Sequence, residues 1–173
     1  MRKQELNFFV IFFVLILNSE VGICQKRWVT TCDTAFNIVF ATPDKPLYGE
    51  NNYYSPEIKS NIKNVFYTLQ TDQEFSWYCV YLTTYPPGNF DVEKASSYFI
   101  SGLLDQVGGS ILSSNYSFYK NLKTFDFLFY SKNNECNGRG RIIGKDTMVI
   151  VLMYVYERFH SEDYVSFLQS LKF

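Results

Sequence analysis

One histidine, His160, stands among 173 residues. A lone imidazole excludes every site built on two or more, including three-histidine zinc sites and the two-histidine zinc helix. An excess of either charge is also missing: 16 basic residues face 17 acidic ones, for a formal net charge of −1. A nucleic-acid binder needs a basic face to release counterions from phosphates, so that class is set aside. There is no Cys-x-x-Cys pair, no glycine-rich phosphate loop and no Gly-x-Ser-x-Gly elbow. The acids Asp33, Asp44, Asp91, Asp105 and Asp126 lack calcium-loop spacing. No cofactor and no metal is therefore expected. What the chain has in plenty is apolar and aromatic surface: 47% hydrophobic and 19% aromatic, too much for a disordered or low-complexity polypeptide.

The only long apolar run opens the chain. Arg2 and Lys3 precede an unbroken stretch from Phe8 to Leu17. A helix of that length rises about 15 Å, half the hydrocarbon core of a bilayer. Extending it would bring in Glu20, which is costly in lipid. The segment therefore reads as a signal peptide over residues 1–24, cut before Gln25 with Gly22 and Cys24 at the two small-residue positions. Lipid anchoring through Cys24 is the rival, disfavoured by Ile23 standing before it. The expected mature chain, 25–173, is one domain with no transmembrane segment, secreted or periplasmic.

Arg27 to Ala41 is β-rich, with Phe36, Ile38 and Phe40 on one face. Thr42 to Pro46 stops it. Leu47 to Glu57, rich in Asn and Tyr, reads as a long loop. Ile58 to Gln70 resumes strand character, with a turn near Asp72-Gln73. Glu74 to Tyr85 is the clearest strand: Trp77, Cys79 and Tyr81 share one face, and Tyr78, Val80 and Leu82 the other. Aromatics on both faces predict a central strand covered from both sides. Asp91 to Val107 has helical spacing, with Asp91 as cap, Gly108-Gly109 as stop and Gly102 marking close packing. Ser110 to Ser131 returns to strand character. Asn133 to Glu135 and Asn137-Gly138 mark a turn, and a hairpin then joins Arg139–Ile143 to Thr147–Tyr156. Ser161 caps a final helix with an apolar stripe. Strands, a helix, strands and a helix, without regular alternation, predict an α+β fold: a single antiparallel β-sheet with helices packed on it.

Four of these pieces, in order, resemble the PsbP-like family, named after an extrinsic lumenal subunit of photosystem II. They are Phe36-Asn-Ile-Val-Phe-Ala-Thr-Pro43, Tyr78-Cys-Val-Tyr-Leu-Thr-Thr-Tyr-Pro86, Gly138-Arg-Gly-Arg-Ile-Ile-Gly144 with Met148 to Tyr156, and Phe167-Leu-Gln-Ser-Leu-Lys-Phe173. The likeness spans Asn37 to Phe173. One departure is Lys120 to Lys123, where members often carry a glycine turn. The resemblance implies an α/β/α sandwich, no enzyme activity and a protein-binding role. It transfers no site residue, because its matches are packing patterns.

Candidate sites come from the residues themselves. Arg139 and Arg141 share a strand face near Lys145 and can hold a carboxylate or phosphate, or else pair with acids such as Glu135 or Glu157. Tyr48, Tyr53 and Tyr54 in the expected loop suggest a partner surface, or a loop folded back on the sheet. His160 reads as a surface residue beside a cap. Asn115-Tyr-Ser117 is a glycosylation sequon. Cys79 is expected to be buried, and Cys32 and Cys136 are the one pair placed to form a disulfide, the alternative being three free thiols. The leading function is a secreted, non-enzymatic protein-interaction module whose partner is another envelope or secreted protein. The alternatives are a carrier of a small apolar ligand in a pocket beside Trp77 to Tyr81, and a hydrolase for which no residue pair can be nominated.

Overall fold

The computed structural model describes residues 28–55, 59–71, 75–87 and 92–173. The expected leader, the cut before Gln25, Cys24, the Asp72-Gln73 turn and the Asp91 cap lie outside these residues. Nine strands and two helices are described: β1 (Val29–Asp33), β2 (Ile38–Thr42), β3 (Leu47–Ser55), β4 (Ser60–Thr71), β5 (Ser76–Thr84), α1 (Val92–Val107), β6 (Gly109–Tyr119), β7 (Leu122–Ser131), β8 (Cys136–Lys145), β9 (Met148–Tyr156) and α2 (Ser161–Ser170).

The expected single sheet is two. β1 and β2 form a two-stranded sheet, and the other strands form a seven-stranded antiparallel sheet in the order β3-β4-β5-β9-β8-β7-β6. The chain builds one side of it as β3-β4-β5, crosses over through α1 to the far edge, and returns as β6-β7-β8-β9. β5 and β9 therefore meet at the centre. Their Met148–Tyr156 and Ser76–Thr84 runs are apolar on both faces because both faces are covered. On one side α1 packs over Cys79, Phe127, Phe129, Ile142, Val151 and Met153. On the other, the β1-β2 hairpin and α2 close over Tyr78, Val80, Leu82, Ile150, Leu152 and Tyr154, with Ile38, Phe40 and Phe167 wholly buried. The two faces of β5 read from the sequence are the two faces observed.

The hairpin is held by local chemistry. Asp33 Oδ1 accepts the backbone N–H groups of Ala35 and Phe36 at 3.0 and 3.2 Å, and Tyr67 donates its hydroxyl to Asp33 Oδ2 at 2.7 Å. Burial, then this bond to the carboxylate, pushes the Tyr67 phenol well above its ordinary range. The C-terminal tail pairs with β2: Val39 and Lys172 exchange backbone bonds of 2.9 and 2.8 Å.

The glycines of β8 have a packing reason. Gly138 stands opposite Phe129, and Gly140 opposite Phe127. Each ring lies over the glycine across from it, so a Cβ at either position would land on the ring.

Several expectations are corrected. Leu47 to Ser55 is not a loop but β3, paired with β4 over its whole length. Its residues have weak strand propensity, and tertiary pairing overrides it. Ser110 to Ser131 is two strands, turned at Lys120 and Asn121, whose φ values are 50° and 66°. This positive-φ pair does without the glycine expected from the family pattern. Asn137-Gly138 lies inside β8, and the turn ends at Glu135. Ser161 is not the cap of α2: His160 holds that position, with no side-chain capping bond. Gly102 marks no close packing, since a Cβ there would meet nothing within 4 Å.

Cys79 is buried as expected, but no Cys32–Cys136 bridge exists: all three thiols are free. Cys32 is exposed on the hairpin covering one face, whereas Cys136 lies in the core beneath α1 on the other. The central sheet stands between them.

Candidate functional site

The two arginines of β8 do share a face, the one covered by α2, but they differ in what they meet. β7 runs antiparallel to β8 with Asp126 opposite Arg141. Arg141 donates from Nε to Asp126 Oδ1 at 2.6 Å and from Nη2 to Oδ2 at 3.1 Å. Ser117 adds a third bond to Asp126 Oδ2 at 2.8 Å and shares another with Thr124 at 2.8 Å. Burial opposes the charge on Arg141, but the hydrogen bonds and charge of Asp126 outweigh it and raise its pKa. The pairing with Glu135 or Glu157 anticipated for this face is replaced by Asp126, because strand register brings that acid across. Arg141 is thus committed to a structural ion pair.

Arg139 has no ion pair among the described residues. Its guanidinium stacks 4.4 Å from the centre of the Phe159 ring, and its Nε is buried without an acceptor. Tyr164 of α2 shares this environment. Burial and the charge of Asp126 push its phenol up to about 12, against the opposing charges of Arg141 and Arg139. His160 begins α2, its backbone carbonyl accepting the N–H of Tyr164.

The three tyrosines of β3 do not form one cluster. Alternation puts Tyr48 and Tyr54 on the hairpin side of the sheet and Tyr53 on the α1 side. Tyr48 packs against Tyr67 and donates to Glu50 at 2.5 Å, and Glu50 pairs with Lys63 at 3.3 Å. All three remain largely exposed, at 57%, 47% and 59% for Tyr48, Tyr53 and Tyr54, beside Leu47 at 75%. Asn115, in the glycosylation sequon, is exposed on the opposite edge strand, β6.

Tyr53 also reaches a groove of about 540 Å3 between α1 and the β3-β4-β5 side of the sheet. α1 lies over β6, β7 and β8, leaving this side of the face open. Trp77 and Tyr81 form its floor together with Phe66, and Tyr98 and Phe99 of α1 form its wall. The pocket expected beside Trp77 to Tyr81 is therefore present, but its lining is mixed: Asn51, Asn64, Thr68 and Thr83 also contribute. Those four, and Asp126 and Phe159 at the arginine face, were not legible before the register was known. Residues far apart in sequence reach one face only through the β3-β4-β5 and β7-β8 pairings.

This arrangement of strands, with a helix on one face and a hairpin and helix on the other, has a solved counterpart. The chain superimposes on the solution structure of cyanobacterial PsbP (CyanoP) from Synechocystis sp. PCC 6803 with a TM-score of 0.58, covering 91% of this chain and 98% of that one at 10% identity. The fold is PsbP-like. By sequence, the chain matches no family model and no curated protein. At this identity the likeness shows the fold and assigns no site. Among the described residues, no helix is long and apolar enough to cross a membrane.

Proposed function

We propose that this PsbP-like chain is a secreted, non-enzymatic binding protein that takes an extended segment of a partner protein along β3. The observation that carries this reading is the unguarded edge. β3 pairs with β4 through nine consecutive positions, Leu47–Ser55, without a register shift, and no described strand covers its other side. Edge strands are usually blunted by lysine, proline, a bulge or short length. β3 has no lysine, proline or bulge and its one charge, Glu50, is paired with Lys63, whereas β6, the other edge, has an irregularity between Ile111 and Ser113. An added strand would gain main-chain hydrogen bonds along β3, with specificity from alternate side chains meeting Tyr48 and Tyr54 on one face and Tyr53 on the other. Tyrosine suits such a role, since it offers large contact area with a polar tip.

Two of the three described cysteines are poorly suited to nucleophilic chemistry. Burial raises the thiol pKa of Cys79 and of Cys136, which disfavours the thiolate a nucleophile requires. The test pairs wild type with a Tyr48→Lys/Tyr54→Lys variant. Both side chains are exposed, so circular dichroism should be unchanged. Cross-linking in native envelope or culture fluid should recover a partner with the wild type and lose it with the variant. A partner retained equally by both would remove β3 from the interaction, and robust turnover in a hydrolase screen would overturn the non-enzymatic assignment.

A further inference from the structure

We infer that the groove between α1 and β3-β4-β5 is a binding site for a neutral saccharide. The groove is lined from β3, β4, β5, β9 and α1 and needs no strand added at the β3 edge. Among the described residues that line the groove, none is charged. A charged ligand entering it would give up hydration and find no counter-charge, which selects for a neutral one. A wholly apolar ligand is disfavoured by the polar part of the lining. Asn51, Asn64, Thr68 and Thr83 bring amides and hydroxyls to the groove, and an apolar ligand would strip water from them while offering no hydrogen bond in return. The occupant must therefore present apolar faces to rings and hydroxyls to amides at the same time. A pyranose does so: its axial C–H face is apolar and its rim is made of hydroxyl groups that both donate and accept.

The polar part is already ordered. Thr83 Oγ1 donates to Asn64 Oδ1 at 2.8 Å, and Asn64 Nδ2 donates to Asn51 Oδ1 at 3.1 Å. Each amide oxygen in this chain of bonds has a donor, and the Asn51 amide nitrogen at its end makes no side-chain bond among the described residues. The side chains lose little further freedom on binding, which favours affinity at a small site. The aromatic part is ordered as well. Tyr81 is packed against Phe66 with ring centres 6.3 Å apart and against Phe99 at 5.8 Å. Tyr53 on the edge strand and Tyr98 on α1, 62% exposed, stand on opposite rims. A volume of about 540 Å3 lies within the range of small-ligand sites.

The test is a glycan array of neutral and acidic oligosaccharides, followed by calorimetric titration with the retained neutral glycans. Trp77 lines the groove, so its fluorescence reports occupancy. The expected result is retention of neutral glycans over acidic ones. Binding should weaken by about tenfold or more in Tyr98→Ala and in Asn51→Ala, which remove one ring and one amide. Phe118→Ala, exposed on the opposite edge strand β6, should bind as wild type does. Because Tyr98 and Asn51 are exposed, the variants should keep the native circular dichroism spectrum, which separates lost binding from lost folding. No neutral glycan retained by the folded wild type, preference for acidic glycans, or retention insensitive to both Tyr98→Ala and Asn51→Ala would each overturn the proposal. Strand addition at β3 would stand or fall separately, by the Tyr48→Lys/Tyr54→Lys variant.

Discussion

At Gly140 one hydrogen atom decides whether two strands can close. The Phe127 ring occupies the space a Cβ would need, in the middle of the core under α1. Gly140→Ala is expected to destabilise the chain by about 1–3 kcal/mol through overpacking. In a Phe127→Leu background the same change should cost much less, because the smaller side chain vacates the space. Urea denaturation of the four combinations measures the coupling, and equal costs in both backgrounds would refute the ring contact. Arg139 and Arg141 show the same dependence on neighbours. Two apart on one strand, they have identical chemistry, yet one is closed off by Asp126 and Ser117 and the other rests on Phe159.

At the scale of an element, the β6-β7 hairpin turns on two residues with left-handed backbone, Lys120 and Asn121. Such a turn favours glycine at its second position. Asn121→Gly should therefore raise stability by about 0.5 kcal/mol. Lys120→Gly should not, although it relieves the same backbone strain. Lys120 Nζ donates to the Leu171 carbonyl at 3.2 Å and lies over the rings of Tyr119 and Phe173, tying the turn to the C-terminal tail. Denaturation midpoints at unchanged m-value test the pair, and stabilisation by both would show that the lysine contacts contribute nothing.

For the whole molecule, the buried tyrosines set the alkaline limit of stability. Burial raises the phenols of Tyr67, Tyr78, Tyr81, Tyr85 and Tyr164, the last to about 12. A tyrosine in the unfolded chain ionises near 10, so above that pH the unfolded state holds fewer protons than the folded one. Stability from this source is complete below about pH 10 and falls as pH rises through 12. Tyr164→Phe should make the fall shallower by about one proton between pH 10 and 12. Chemical denaturation across that window, with tyrosinate absorbance of the folded chain, provides the measurement. A pH dependence unchanged in Tyr164→Phe would contradict the assignment.

The sequence by itself determined the parts whose signal is local. Alternation around Trp77 to Leu82 assigned both faces of the central strand, and three- and four-residue spacing located α1. Aromatics on both faces of the β5 segment announced a central strand covered from both sides, since double burial is what makes such a run favourable. Four packing patterns carried the likeness to the PsbP-like fold. Tertiary structure alone decided the rest. β3 is a strand because β4 pairs with it, although its own residues read as a loop. The acid opposite Arg141, the separation of Cys32 from Cys136 by a sheet, and the joining of Asn51, Asn64, Thr83 and Tyr98 around one groove follow from register and crossover. Register is a property of two strands together: a one-residue slip would move Asp126 away from Arg141, or Asn51, Asn64 and Thr83 out of the groove, to the other face of the sheet. No local pattern in one segment encodes that choice.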